Sequence, residues 1–352
     1  MHASSRRQFM KQMACLASSY TFALRSSGES APEVLEGIRT FIHRTAQKDG
    51  SFTPGIDPRY PGISDTNLSG IAAPAYATIL CRTFAWPLPY AGETKAFFLR
   101  CQKSDGAFYP PTGTMDPNSP QAKFYNTAQG IVALKLLGEK PIYDPSPVPE
   151  YFFKEEELEK LPLYMTSFFP YFYTALGAPM PDTVDRMLRA LIEKKQAADG
   201  YVGNHVASTF HAAHYYRLTG RPTPKAEAMT ERVLRDQKED GSWHLFEPDW
   251  DVHAAFDALF IIRQLGKAGD ARIATSYQRA NAWLMKCRKA DGGFAHYPDN
   301  AQSDMDATYF QAGALAQTGY LPTAPDLRHE EILGWGHAMI PGKRYSCLGG
   351  AG

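Results

Sequence analysis

The sequence predicts an all-α fold made of repeated helix pairs. Five short segments share an Asp-Gly dipeptide that is followed within two residues by an aromatic residue. Around them lie apolar residues at helical spacing, and no alternating run of Val, Ile and Thr is long enough for a strand. A repeat of roughly forty to fifty residues is one unit that cannot bury its own apolar face, so the units must stack or close on each other. The five dipeptides are Asp49-Gly50, Asp105-Gly106, Asp199-Gly200, Asp240-Gly241 and Asp291-Gly292.

Each part of the repeat has a local physical reason. Glycine after aspartate supplies the backbone freedom that a tight turn needs, and the aromatic residue can fold back on the turn. The second helix of a pair ends in Leu-Gly or Thr-Gly, which indicates a helix terminated by a left-handed residue. Four turns have a Gln shortly ahead of the Asp, and Arg288 takes its place in the fifth; the four are Gln47, Gln102, Gln196 and Gln237.

This sequence pattern resembles the prenyltransferase and squalene-cyclase repeat over roughly residues 33–322. The segment from Gln237 to Trp243 is close to the best-known form of that repeat, whereas the third unit, about 145–180, is degenerate and has no Asp-Gly. In the family, six helix pairs close into a double ring, and the second helix of each pair lines a central cavity. The resemblance therefore implies an alpha/alpha toroid, for which the six pairs here would complete one ring.

The first thirty residues predict an export signal rather than part of the fold. Arg6 and Arg7 precede Phe9 and Lys11 at the spacing of a twin-arginine signal, and a weakly apolar stretch follows. The alternative is a basic, unfolded N-terminus. The prediction divides the chain into a signal at 1–30, one toroid domain at 31–345 and a flexible tail at 346–352, with the twin-arginine translocase as a partner and a periplasmic or extracellular location.

The composition argues against nucleic acid as a partner and against a membrane span. The formal net charge is zero and no Lys/Arg stripe is present, which argues against nucleic acid. No segment approaches eighteen uninterrupted apolar residues, so no membrane span is predicted. The cysteines form no Cys-x-x-Cys pair, and no cofactor is predicted. Cys101 and Cys287 precede their turns at equivalent places and are expected to be buried.

In such a ring the cavity-lining helices run the same way, so their N-terminal residues would meet at one mouth of the cavity. Ordinary N-capping explains part of the polar residues there. Converging polar ends would still form a concave polar site. The polar residues expected at the mouth are Asp65, Asn67, Asn126, His205, Asp251, His253, Thr308 and Tyr309.

Asp304-Met-Asp306-Ala-Thr308 is the most specific of these openings. It looks like the Asp-x-Asp-Asp-Thr motif of class II terpene cyclases, whose middle Asp protonates an alkene or epoxide. The resemblance implies that Asp306 is the acid and Asp304 its partner, while Ala307 departs from the motif. Neighbouring carboxylates resist joint ionisation, so one of them can stay protonated.

Two metal sites are alternatives to this general acid. The protein prenyltransferases place a zinc-ligating Asp and Cys at this helix opening, and here the Cys position is Asp306, which removes the soft ligand. His329 is the remaining candidate for their third ligand and would lie on an outer helix. His211, His214 and His253 form a second, weak set of metal candidates.

Aromatic residues are expected to line the cavity below the mouth. They would stabilise carbocations in a cyclase or stack on sugars in a carbohydrate enzyme. Three functions stay open: a terpene-cyclase-like enzyme, a polysaccharide-acting enzyme and a non-catalytic binding toroid, each with a small apolar or carbohydrate ligand in the cavity. The predicted wall comprises Phe168, Tyr171, Phe172, Phe210, Tyr215, Phe256 and Phe310.

Overall fold

The computed structural model describes residues 29–243 and 253–327. Over these ranges the chain forms six successive pairs, each with an outer element followed by an inner helix, and the described residues contain isolated bridges but no strand. The predicted all-α toroid is confirmed. Residues 1–28 of the predicted signal peptide, Asp251, His329 and the C-terminal tail lie outside the described residues.

The helices are named in chain order. The first three pairs comprise α1 (Ala31–Thr45), the short α2 (Asp65–Leu68) and α3 (Ala72–Thr83); α4 (Ala91–Cys101) and α5 (Pro120–Leu136); and a 3-10 helix (Val148–Phe153), α6 (Glu155–Leu158), a second 3-10 turn (Leu163–Met165) and α7 (Phe168–Leu176). The last three comprise α8 (Asp182–Lys195) and α9 (Val206–Leu218); α10 (Ala226–Arg235) and α11 (Ala254–Leu265); and α12 (Ala271–Lys286) and α13 (Met305–Gln317). The degenerate third unit thus replaces its outer helix with short turns.

Inner and outer helices differ in their burial. All thirteen residues of α13 are buried, which is typical of a helix surrounded by protein. The outer α1 buries one face only, with Val34, Ile38, Phe41 and Ile42 at helical spacing. The inner helices α3, α5, α7, α9, α11 and α13 contact one another in that order, and α13 returns to α3, so the inner ring is closed.

The Asp-Gly turns hold neighbouring pairs together. In the turn at Asp240, the carboxylate accepts the N–H of Ser242, and the Gln237 amide donates both to the Gly241 carbonyl and to Ser276 of the following outer helix. Gly241 has a φ of +97°, and a Cβ there would lie 2.1 Å from the Arg279 carbonyl oxygen. The turn therefore needs glycine both for its backbone angle and for its close contact with the next pair.

An Asp-Gly turn of the same kind closes the ring between the last helix pair and the first. Gly292, with a φ of +94°, lies against the backbone of Gly37 in α1. Arg288, which replaces the usual Gln, pairs with Glu29 and donates to the Glu33 carbonyl. The last turn thus packs on the first helix, and this contact defines the seam of the ring.

The predicted helix starts are only partly right. The first inner helix begins at Ala72, and Asp65 belongs to a separate single turn before it. In the second pair, Ser119 caps α5, so Asn126 lies well inside the helix rather than at its opening. His205, His253 and Asp304 do occupy the positions that precede their helices.

Candidate active site

Asp304 and Asp306 lie at the start of α13 and are fully buried. Asp304 is the N-cap, and its Oδ1 accepts the N–H of Asp306 at 2.7 Å. Across the seam, Thr66 donates its hydroxyl to Asp304 at 3.0 Å, and the N–H of Ile63 donates to its Oδ2 at 3.2 Å. Capping alone would use one oxygen, so the carboxyl also serves to join the last pair to the first.

Asp306 is held on both of its carboxyl oxygens. Its Oδ2 accepts the backbone N–H of Asp65 at 3.0 Å, and its Oδ1 lies 2.9 Å from Nε2 of His253. Nε2 of His296 is 3.9 Å from Oδ2. His253 stacks on Phe310, with ring centroids 3.6 Å apart, and its side chain is 20 % exposed. The imidazole is therefore the path from the buried carboxyl toward solvent.

The surroundings favour the protonated form of these carboxyls. Burial raises the pKa of Asp306, and burial together with the charge of Asp306 raises the pKa of Asp304. Backbone N–H groups oppose the shift but do not cancel it. Burial and Asp306 also raise the pKa of Asp65 to about 6. A carboxylic acid that keeps its proton at neutral pH is therefore expected here.

Four tyrosines from four inner helices lie in the interior near Asp65, and two of them, Tyr76 and Tyr125, affect its carboxyl directly. Tyr76 donates its hydroxyl to Asp65 and stacks on Tyr309, with centroids 4.3 Å apart. The Tyr125 hydroxyl lowers the pKa of Asp65, and the charge of Tyr309 adds to burial in raising the pKa of Tyr171. All four are nearly or fully buried. The interior next to the two carboxyls is thus aromatic, and the Tyr76 hydroxyl donates to Asp65.

The segment before Asp65 covers the acid pair. Ser64 has a φ of +57°, an unusual angle for a residue with a side chain, and its hydroxyl lowers the pKa of Asp306. Burial, and then the charge and hydrogen bond of Asp304, raise the pKa of Tyr60. We call residues 60–66 the strap. Its unusual backbone is held by hydrogen bonds to Asp304 and Asp306.

Other predicted mouth residues have structural partners. Asn126 accepts the Ser69 hydroxyl at 2.6 Å, and Asn67 accepts that of Thr114 at 3.0 Å. Thr308 accepts the N–H of Phe294 at 3.0 Å. The same bond recurs at Thr127 and Thr209 in two other repeats. The threonine of the acid motif therefore belongs to the repeat rather than to the acid.

The three weak metal candidates, His211, His214 and His253, do not form one group in the structure. His211 pairs with Ser167, at 2.7 Å from its Oγ, and burial lowers the pKa of His211 to about 3. His214 is buried between Phe210 and Phe260. Of the three predicted histidines, His253 is the one that contacts the carboxyls. Among the described residues, the group able to hold a metal is His296, Asp304 and Asp306.

The aromatic wall also needs one correction. Tyr215 donates to the backbone carbonyl and the carboxylate of Asp185 in the outer helix α8, so it faces the outer ring and not the cavity. The other six residues are all buried at 2 % exposure or less; they are Phe168, Tyr171, Phe172, Phe210, Phe256 and Phe310. Of these, Phe310 stacks on His253 and packs edge-on against Tyr76, which places it beside the acid.

Sequence reasoning missed His296, Tyr60 and two members of the tyrosine cluster, Tyr76 and Tyr125, whereas Tyr171 and Tyr309 were among the predicted site residues. His296 follows the aromatic residue of the last Asp-Gly turn by two positions, on the segment that leads to Asp304. The sequence signal that could have identified His296 is this imidazole close to Asp304, two residues after the aromatic of the turn. Tyr60 lies in a loop without periodicity, so nothing in the sequence placed it.

Comparisons with known proteins agree on the fold. Residues 170–339 match the family model described as the prenyltransferase alpha-alpha toroid domain. No curated protein matches the sequence.

Three solved structures illustrate the range of similar folds, all at identities that establish the fold alone. The chain is similar to the type II terpene cyclase MstE from Scytonema in its apo form, with 13 % identity, a TM-score of 0.53 and coverage of 83 % of this chain and 100 % of that one. It is similar to a glycosidase variant, with 11 % identity, a TM-score of 0.54 and coverage of 83 % and 98 %. A protein from Actinoplanes gives 16 % identity, a TM-score of 0.52 and coverage of 83 % and 100 %.

MstE has also been solved with geranylgeranyl dihydroxybenzoate as its substrate, at 13 % identity to this chain and a TM-score of 0.51. In the described part of this chain, no helix combines the length and apolarity needed to cross a bilayer. The repeats and the closed double ring show that the chain folds as an alpha/alpha toroid, and its residues 170–339 are similar to the prenyltransferase alpha-alpha toroid domain.

Proposed function

We propose that the protein is an acid-initiated cyclase that acts on an apolar, polyprene-type substrate through Asp306. The observation that carries the proposal is the fully buried pair of Asp304 and Asp306 at the start of α13, both with raised pKa. Within the described chain their ion-pair partners are histidines, with no Lys or Arg. A lysine or arginine would have stabilised the ionised form and removed the acid.

The chemistry starts with proton transfer from the Asp306 carboxyl to one carbon of an alkene. The alkene π electrons form the new C–H bond, a carbocation develops on the other carbon, and Asp306 becomes a carboxylate. The N–H of Asp65 and the imidazole of His253 then stabilise that carboxylate. An internal alkene of the substrate attacks the cation to close a ring, and loss of a C–H proton ends the reaction. His253, which is partly exposed, returns a proton from solvent to Asp306.

The aromatic surroundings suit a cationic intermediate. Tyr76, Tyr309 and Phe310 pack together beside the carboxyls and present rings rather than charged groups. Ring faces attract a cation within about 6 Å of their centroids. Because the carboxyls have no exposed surface, the strap over them must move for a substrate to reach Asp306.

A polysaccharide-acting enzyme is the alternative supported by fold similarity to glycosidases. Glycoside hydrolysis uses two carboxyls on opposite sides of a bond in an open groove. Asp304 and Asp306 are instead adjacent and fully buried, which favours the cyclase. A non-catalytic binding toroid is the other alternative, and Ala307 and the degenerate third pair favour it.

The test is turnover of linear polyprenes and of geranylgeranyl dihydroxybenzoate, with mass spectrometry of the extracted products. We expect cyclised product from the wild type and none from Asp306→Asn, because the amide cannot donate the proton. Asp182→Asn, at an exposed position on α8, is the matched control and should match the wild type. Product from a folded Asp306→Asn variant would refute the acid role. Release of sugar from oligosaccharides without any cyclised product would favour the glycosidase alternative.

A further inference from the structure

We propose that His296, Asp304 and Asp306 form a binding site for one divalent transition-metal ion. A nitrogen of His296 and one oxygen of each carboxyl lie within 4.8 Å of one another, and all three residues are buried. Ligand atoms on one tetrahedral zinc ion, with bonds of about 2.0–2.2 Å, lie about 3.3–3.6 Å apart. The donor atoms therefore need to approach one another by at most about 1.5 Å to hold the ion. The inference is independent of the proposed cyclase activity.

Both carboxyl groups accept hydrogen bonds from the strap, and the backbone that carries the His296 imidazole is held as well. Thr66 and Ile63 donate to Asp304, and the N–H of Asp65 donates to Asp306. The carbonyl of His296 accepts the Gln311 amide at 3.4 Å and the Cys287 thiol at 3.8 Å, which fixes the backbone from which its imidazole extends. Such outer partners orient metal ligands and are part of the site's affinity.

His253 completes the arrangement from the other side. Its Nε2 is 2.9 Å from Oδ1 of Asp306, whereas His296 approaches Oδ2. With a metal on Oδ2, the His253 N–H would donate to Oδ1 and support the ligating carboxylate. Three protein ligands leave at least one position for water, as in open metal sites.

Charge and donor type point to the class of ion. Two adjacent buried carboxyls carry two negative charges when ionised, and within the described residues no Lys or Arg neutralises them. A divalent cation would do so. One imidazole and two carboxylates suit Zn²⁺, Co²⁺, Mn²⁺ or Fe²⁺ better than a softer ion. The set differs from the Asp, Cys and His set of protein prenyltransferases, since it has no thiolate and its histidine comes from the turn before α13.

Metal and proton exclude each other at this site. A metal ion requires both carboxyls to be ionised, whereas the acid requires Asp306 to hold a proton. The metal-bound form would therefore be inactive in the proposed cyclisation, and the same residues would have two alternative states.

The test is binding of Zn²⁺ to the full chain, measured by titration calorimetry and by metal analysis after desalting. We expect one equivalent per chain in the wild type and a loss of affinity of at least about tenfold in His296→Gln and in Asp304→Asn, since even outer partners are worth that much. His205→Asn is the control, because it removes an imidazole from the mouth but keeps an acceptor for the Ser208 N–H. It should bind like the wild type.

A crystal soaked in Zn²⁺ gives a readout that does not depend on the variants. An anomalous peak within about 2.3 Å of the His296 imidazole nitrogen and next to both carboxyls is the expected result. No binding at micromolar Zn²⁺, unchanged binding in folded His296→Gln, or a peak elsewhere would overturn the proposal. A lack of cyclase activity would not affect any of these outcomes.

Discussion

Asp65 and Asp306 are joined by a hydrogen bond that crosses the seam of the ring. The backbone N–H of Asp65, in the first helix pair, donates to Oδ2 of Asp306, in the last pair, at 3.0 Å. The side chain of Asp65 is turned to Tyr76, so one residue supports the acid with its backbone and the tyrosine cluster with its carboxyl. The candidate site is thus part of the contact that closes the toroid.

Replacing His253 tests its link to Asp306. His253→Phe keeps the stacking on Phe310 and removes the imidazole nitrogen. We expect turnover to fall by about 10²-fold, because reprotonation of Asp306 loses its general acid–base group. Turnover should be lost as the pH rises through the raised pKa of Asp306. If His253 donates a hydrogen bond to the Asp306 carboxylate, removing it should raise this pKa further and shift the loss of turnover to higher pH. A pH–rate profile measures the shift, and a shift to lower pH would instead identify His253 as a hydrogen-bond acceptor.

Stability should fall as the pH rises from about 7 to 9; below this range the lowered pKa values of the buried His211 and His214 change stability in the opposite direction. Asp304 and Asp306 have raised pKa in the folded protein, so over this range the folded state binds more protons than the unfolded state, and their contribution decreases with pH. We expect a loss of about 1–3 kcal/mol from this pair, after allowing for their coupling. Urea unfolding at several pH values measures it. An equally steep fall in the Asp304→Asn, Asp306→Asn double variant would assign the effect to other groups.

Thr308→Val tests whether the motif's threonine is structural. The hydroxyl accepts a buried backbone N–H from Phe294, and Thr209 makes the same bond to Val202 at the same distance. Each valine variant should lose about 1–3 kcal/mol, the cost of an unsatisfied buried donor. Turnover per folded molecule should change equally little in both. A selective loss of turnover in Thr308→Val would give this residue a catalytic role.

Gly292→Ala tests the seam itself. Gly292 and Gly319 both have positive φ. A Cβ on Gly292 would lie 2.3 Å from the Gly37 carbonyl oxygen, whereas a Cβ on Gly319 would extend into open space. Gly319→Ala should cost about 1 kcal/mol from backbone strain alone. Gly292→Ala should cost at least about twice as much, because the backbone of α1 must shift. Chemical denaturation of both variants measures the difference, and equal costs would contradict the role given to this contact.

The sequence predicts the repeat well because each of its marks has a local cause. The Asp-Gly turns and the helix pairs follow from turn chemistry and helical spacing, and the closing of six pairs into a ring was implied by the family resemblance. The starts of α3 and α5 could not be placed, since Asp65 and Asn126 look like caps but are used in contacts distant in sequence. His296 and Tyr60 were missed for a related reason. Their positions depend on how loops cross the seam, and no periodic pattern records that.

The seam also determines when the site comes into existence. Asp304 and Asp306 belong to the sixth pair, whereas the residues that enclose them belong to the first. A chain emerging from the ribosome with five pairs has neither the carboxyls nor a partner for Thr66 and Ile63. The acid is therefore a property of the finished ring, and a partly folded chain would not present a reactive carboxyl to the cell.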